Sequence, residues 1–184
     1  MPQAYFILSL LTEYRKMEIQ QETYSTTYAS QGSYFSSSHY HQIEFLHGHD
    51  YHLSLTVNST QLLDGEIIKS SKIKALIEEI CVGYDHKIFI TESGVGHEVE
   101  DLGDHVGLTV RGLSYEFPKR LCVFLPIVLG TCEEISRYLS LNIANRLRSE
   151  LEMNPGIYAI NVKISEVYKQ QEASTILEIK EHKF

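Results

Sequence analysis

A basic face is missing from this chain. Its 16 Lys and Arg are outnumbered by 24 Asp and Glu, for a formal net charge of -8, which argues against a nucleic-acid surface. An anionic substrate must then be held by local positive groups or by a metal. Cysteine is scarce: Cys81, Cys122 and Cys132 are odd in number and show no paired spacing, which argues against a disulfide framework and suits a reducing, cytoplasmic compartment. No long apolar run is present. The start, Ala4-Tyr5-Phe6-Ile7-Leu8-Ser9-Leu10-Leu11, is far shorter than the roughly 20 residues of a membrane helix, and it lacks the basic flank and cleavage site of a signal peptide. No Pro/Gly/Ser-rich linker divides the 184 residues. They read as an N-terminal extension over 1–21 and a single domain over 22–184. Tryptophan is absent, and 43% hydrophobic and 22% charged content are ordinary for a soluble globular protein.

What is present concentrates between Ser38 and Val57. Tyr51, Leu53, Leu55 and Val57 alternate with His52, Ser54 and Thr56, the period of a half-buried strand. Carried backward, that parity puts His47 and His49 on the apolar face, with Gly48 between them free to bend the backbone and His39 arriving from a neighbouring strand. Isolated histidines are more often surface or satisfied core residues, and His41, His52, His97, His105 and His182 read that way. A buried same-face pair is different, because unliganded imidazoles would leave polar nitrogens unsatisfied. Three neutral nitrogens suit zinc, with a fourth position open to water or substrate.

Residues 22–38 read as a strand ending near His39, and a second strand runs over 50–57. Asp64-Gly65 marks a turn. Ile73, Leu76, Ile77 and Ile80 keep helical spacing, with Ser70 or Ser71 as N-cap and Gly83 at the end. Residues 91–120 are rich in Gly and acids and read as an insertion with short hairpin strands around 107–117. Leu121 to Pro126 reads as a buried strand. Thr131 and Glu134 form a capping box for a second helix running to about Met153, and two more strands follow, from Tyr158 and over about 174–180. The order is α+β with antiparallel hairpins. Glu166 shares the parity of Val162 and Ile164: either it lies past the buried part of its strand and reaches solvent, or it accepts paired N–H groups from a ligand.

Phe35-Ser36-Ser37-Ser38-His39, His47-Gly48-His49-Asp50-Tyr51, Tyr84-Asp85-His86-Lys87, Thr131-Cys132-Glu133-Glu134 and Ser165-Glu166 occur in that order. Together they resemble the 6-pyruvoyl-tetrahydropterin synthase family, which includes the 6-carboxy-tetrahydropterin synthases, over about residues 22–180. The resemblance implies a tunnelling fold: an antiparallel four-stranded sheet with two helices on one face, assembling into a trimer or hexamer barrel with active sites between subunits. It implies zinc on His39, His47 and His49, and a proton-transfer pair in Asp85 and His86. It also implies a pterin anchored by Glu166 in a pocket lined by Thr131, Cys132 and Glu133. Read alone, Thr131 is a plain N-cap and Glu133 a first-turn charge favoured by the helix dipole.

The family's usual catalytic cysteine before the HGH is missing from Tyr40-His41-Gln42-Ile43-Glu44-Phe45-Leu46. The ExxHGH found instead resembles the subfamily in which glutamate takes that place. This implies cleavage of 7,8-dihydroneopterin triphosphate to 6-hydroxymethyl-7,8-dihydropterin, a folate precursor, with Glu44 as base. The alternatives are triphosphate elimination by a 6-pyruvoyl synthase of tetrahydrobiopterin synthesis, a 6-carboxy synthase, and a non-catalytic pterin- or metal-binding oligomer. Cys132 stands where a hydroxyl residue is common in the family, and beside a capping threonine it reads as packing.

Overall fold

The computed structural model describes residues 26–29, 33–41, 44–92, 96–168 and 171–179, with backbone alone at 26–29, 34, 41 and 44. The N-terminal extension expected over 1–21 lies outside the described residues. In chain order the strands are β1 (Thr26–Ala29), β2 (Ser33–His41), β3 (Glu44–Ser59), β4 (Lys87–Thr91), β5 (His97–Asp101), β6 (His105–Val110), β7 (Leu113–Pro118), β8 (Cys122–Leu125), β9 (Ile157–Glu166) and β10 (Glu172–Glu178). The helices are α1 (Ser70–Tyr84), α2 (Cys132–Arg146) and α3 (Arg148–Met153).

β3 organises the fold. Tyr51, Leu53, Leu55 and Val57 are all fully buried, so the predicted alternation is real. The strand is longer than predicted and takes the whole HGH into the sheet. Its buried face meets Ile73, Leu76, Ile77 and Ile80 of α1 and Ile135, Leu139 and Ile143 of α2 in one core. Each such side chain taken from water is worth roughly 1.5–3 kcal/mol.

The expected four-stranded antiparallel sheet is only the centre of what forms. Strands β10, β9, β3 and β2 pair antiparallel in that order, β1 pairs with the far end of β3, and β4 and β8 extend the sheet in parallel beyond β2. The parallel edge arises because α1 carries the chain back along the sheet before β4. Strands β5, β6 and β7 make a separate antiparallel sheet. Its Leu108 and Val110 pack on Tyr40 and Ile90, so it covers part of the main sheet's helix-free face.

Three helices replace the two expected, because Leu147 leaves helical geometry (φ -90°, ψ 5°) to become 3% exposed in the core. The cap of α1 also differs: its N-cap is Lys69, which makes no side-chain cap bond. Glu66 serves instead, accepting from Ser70 N at 3.2 Å and Ser70 Oγ at 2.9 Å. Thr131 Oγ1 does cap α2, accepting from Glu134 N at 3.4 Å, while the Glu134 carboxylate takes Val128 N and Leu129 N, each at 2.7 Å.

Candidate active site

The ladder between β2 and β3 is regular from Ser33 opposite Leu53 to His39 opposite His47, and then shifts so that His41 faces Glu44. Two steps on β2 match three on β3, which is a bulge at 45–46. Gly48 therefore sits in regular pairing with Ser38, and the bend expected at it occurs earlier. The bulge also changes parity. Position 44, which simple alternation would put opposite His47 and His49, is registered against position 41, which shares the parity of His39. The Glu44 side chain lies outside the described residues.

His39, His47 and His49 converge, with one ligand atom from each lying within 4.8 Å of the others. Their ring centroids are 4.6–4.9 Å apart. Each Nδ1 faces an acceptor: His39 Nδ1 donates to the Gly130 carbonyl at 2.6 Å, and His47 Nδ1 donates to the Phe45 carbonyl at 2.7 Å. His49 Nδ1 lies 3.3 Å from Glu166 Oε2. An acceptor at Nδ1 fixes the proton there and leaves the Nε2 lone pair for a metal. His39 and His47 bring those nitrogens to 3.1 Å. Two lone pairs that close repel unless a cation lies between them, and ligands about 2.0–2.1 Å from a tetrahedral zinc are themselves about 3.3 Å apart. The donor set fits zinc.

Glu166 is buried, at 6% exposure, as its parity allowed. Tyr51 is its cross-strand partner. Glu166 Oε1 receives the Cys132 thiol at 3.8 Å. Oε2 makes no hydrogen bond among the described residues; the approach of His49 Nδ1, at 3.3 Å, is a contact between an imidazole and a carboxylate and not a hydrogen bond. A buried carboxylate oxygen in that state is an acceptor waiting for a donor. Burial, reinforced by the carboxylates of Glu166 and Glu133, pushes the Cys132 thiol up to about 12, so it is no thiolate near neutral pH. Burial likewise holds the Tyr51 phenol far above its usual range, with Cys132 and Glu166 adding to it.

Asp85 and His86 follow α1 and are clamped to β2. Ser36 N donates to Asp85 Oδ1 at 2.9 Å, His86 N donates to the Ser36 carbonyl at 2.7 Å, and Ser37 Oγ donates to the Tyr84 carbonyl at 2.7 Å. The clamp holds His86 at φ +55°, a left-handed conformation unusual for a non-glycine residue. Asp85 Oδ2 accepts from His86 Nδ1 at 2.7 Å, with the imidazole 84% exposed. The Ser36 N–H, and after it the His86 side chain, hold the Asp85 carboxyl below the usual range against partial desolvation. A cavity of about 510 Å³ joins the parts, lined by His49 and Glu166 together with His86, Lys87, Ser36 and Asp50.

The expected site residues thus divide. His39, His47, His49, Cys132 and Glu166 cluster, and His86 shares the cavity with His49 and Glu166. Thr131 caps α2 and Glu133 is exposed; neither lines this cavity. The Gly130 and Phe45 carbonyls and Tyr51 escaped the sequence reading. Backbone acceptors leave no residue signature, and Tyr51 read as an ordinary core position.

The sequence model described as 6-pyruvoyl tetrahydropterin synthase matches residues 25–176. A Methanocaldococcus jannaschii protein, provisionally named 6-carboxy-5,6,7,8-tetrahydropterin synthase, is 27% identical over 141 residues, 68% of this chain and 86% of that one. The structure of a Plasmodium falciparum 6-pyruvoyl tetrahydropterin synthase superposes with a TM-score of 0.77 at 26% identity, covering 84% of this chain and 99% of that chain. A Plasmodium vivax 6-pyruvoyltetrahydropterin synthase, solved with a catalytic glutamate replaced by alanine, gives 0.78 at 24% identity, covering 85% and 99%.

Proposed function

Because the chain belongs to the 6-pyruvoyl tetrahydropterin synthase family, we propose that it is a zinc-dependent pterin lyase acting on 7,8-dihydroneopterin triphosphate, with 6-hydroxymethyl-7,8-dihydropterin as its main product. The observation that carries the reading is the junction of the histidine triad with Glu166. Three converging imidazoles, two of them with Nδ1 bonded to backbone carbonyls, meet through His49 a buried carboxylate whose Oε2 makes no hydrogen bond among the described residues, and His49 and that carboxylate line a cavity shared with His86.

In this reading His39, His47 and His49 hold zinc, which when bound polarises substrate hydroxyls and lowers their pKa. Glu166 accepts paired N–H groups from the aminopyrimidine edge of the pterin, a charge-assisted contact suited to its burial. Asp85 keeps His86 in the tautomer with the proton on Nδ1, leaving Nε2 to accept a proton or, once protonated, to return it. Glu44 is the base that starts the cleavage, a reading supported by the bulge before the HGH, which registers position 44 against position 41. Support for a glutamate in this role comes from the P. vivax protein, where a glutamate is the catalytic residue. Cys132, held protonated, takes no proton from the substrate. Thr131 and Glu133, on either side of Cys132 at the start of α2, would meet the pterin from outside the lining of this cavity.

We place the active enzyme in the cytoplasm as a homo-hexamer of two trimers, without nucleic-acid or membrane partners. No helix among the described residues is long and apolar enough to cross a membrane. β3 runs past the end of β9, with which it pairs only over Tyr51–Ser59, and Phe45 on that overhang is 50% exposed. A neighbouring subunit would cover it. A second reading, a 6-carboxy-tetrahydropterin synthase, is favoured by the M. jannaschii relative.

The deciding experiment is to incubate zinc-loaded protein with 7,8-dihydroneopterin triphosphate and identify the product. 6-Hydroxymethyl-7,8-dihydropterin is expected. A mainly 6-pyruvoyl product overturns the cleavage reading, and no turnover overturns catalysis on this substrate.

A further inference from the structure

Tyr51 is fully buried at the base of the histidine triad. Its ring stacks on Phe35 (centroids 5.2 Å apart) and on Phe89 (6.4 Å), and it meets His39 edge-on at 6.4 Å. Phenylalanine would make every one of these contacts. The hydroxyl is therefore not explained by packing, and a buried O–H without an acceptor is destabilising. Tyr51 Oη and Glu166 Oε2 are two of three buried side-chain polar atoms that find no hydrogen-bond partner among the described residues. They belong to directly paired residues of β3 and β9, whose side chains share a face. One can donate and the other can only accept, yet they do not bond to each other.

We propose that Tyr51 is a positioning residue for Glu166: its hydroxyl and Glu166 Oε2 share one buried water, which holds the carboxylate in the orientation that receives a ligand's adjacent N–H groups. A water satisfies both atoms at once, since it accepts from the phenol and donates to the carboxylate. The Cys132 thiol, a weak donor, leaves Glu166 Oε1 loosely held at 3.8 Å, and His49 Nδ1 approaches Oε2 at 3.3 Å without hydrogen-bonding to it, so the bridge supplies the hydrogen bond that Oε2 otherwise lacks. The functional consequence rests on Glu166 being the pterin anchor; the bridge itself does not.

The test is Tyr51→Phe, which keeps the stacked ring and removes one oxygen. Zinc content should stay at the wild-type level, while the Kd for neopterin, read by its fluorescence, should rise about tenfold. In a Glu166→Gln background the same substitution should change the Kd by less than about twofold, because the restraint acts only through the carboxylate. High-resolution crystals of the wild type should show an ordered water within hydrogen-bond distance of both oxygens, and Tyr51→Phe should unfold more easily in urea. Unchanged neopterin affinity with equal or greater stability in Tyr51→Phe overturns the proposal, as does a wild-type structure without that water. If wild-type protein does not bind neopterin, the pterin reading fails, and the water and the urea midpoint decide the bridge on their own.

Discussion

Replacing Gly130 with alanine should loosen the metal while leaving the fold intact. A Cβ at this position would lie 2.8 Å from His39 Nδ1, 3.3 Å from its Cβ and 3.4 Å from its Cγ. The first distance is about 0.7 Å short of the roughly 3.5 Å at which non-bonded heavy atoms rest. The ring cannot swing away cheaply, because it is 7% exposed and flanked by His47, His49 and Tyr51. It must instead shift by several tenths of an ångström, where metal–ligand distances tolerate about 0.2 Å. The shift also disturbs the bond from Nδ1 to the Gly130 carbonyl, which selects the tautomer. Loss of such an orienting partner weakens metal binding by about 10–100-fold, or roughly 1.4–2.7 kcal/mol. Competition of the metal-free protein against a chromogenic zinc chelator measures this directly. Gly83→Ala is the control: no atom lies within 4 Å of its added Cβ, and it should bind zinc normally. A folded Gly130→Ala protein within twofold of wild-type zinc affinity would refute the proposed role of this carbonyl.

Glu44→Gln should keep fold and zinc while losing at least about 100-fold in turnover, because the amide cannot accept the proton; full activity would pass the role to His86 and Asp85. Glu166→Ala should raise the Kd for neopterin by tenfold or more and affect zinc content less, and the reverse order of effects would make Glu166 mainly a support for His49. His52→Ala should retain zinc by elemental analysis and His47→Ala should lose it, since His52 has the opposite strand parity. Asp85 is held below the ordinary carboxylate range, so it stabilises the folded chain above its unfolded pKa of about 3.9 and loses that contribution as pH falls through the folded value. In metal-free protein, Asp85→Asn should therefore flatten the fall of unfolding free energy between about pH 4 and pH 2, and parallel wild-type and variant curves would contradict the clamp.

The period-two run from Tyr51 to Val57 and the helical spacing from Ile73 to Ile80 announced their elements in advance, because burial of one face imposes a repeat that neighbours along the chain must obey. The same rule put Glu166 and the pair His47 and His49 on the inward face of their strands. Local sequence announced a strand at β8 but could not reveal β4 or the parallel pairing of the two, since strand order depends on where a helix and a three-stranded excursion return the chain. Nor could it show the bulge that shifts position 44 into register with 41, or the end of α2 at Leu147, where packing a leucine into the core outweighs continuing the helix. The tautomers of His39 and His47 were decided by the carbonyls of Gly130 and Phe45, groups every residue carries: the first is reached only through tertiary placement, the second through the local bulge two residues before His47. Residue types named the chemistry available to this chain; the aim of each lone pair came from contacts between segments as far apart as His39 and Gly130, which only the folded backbone brings together.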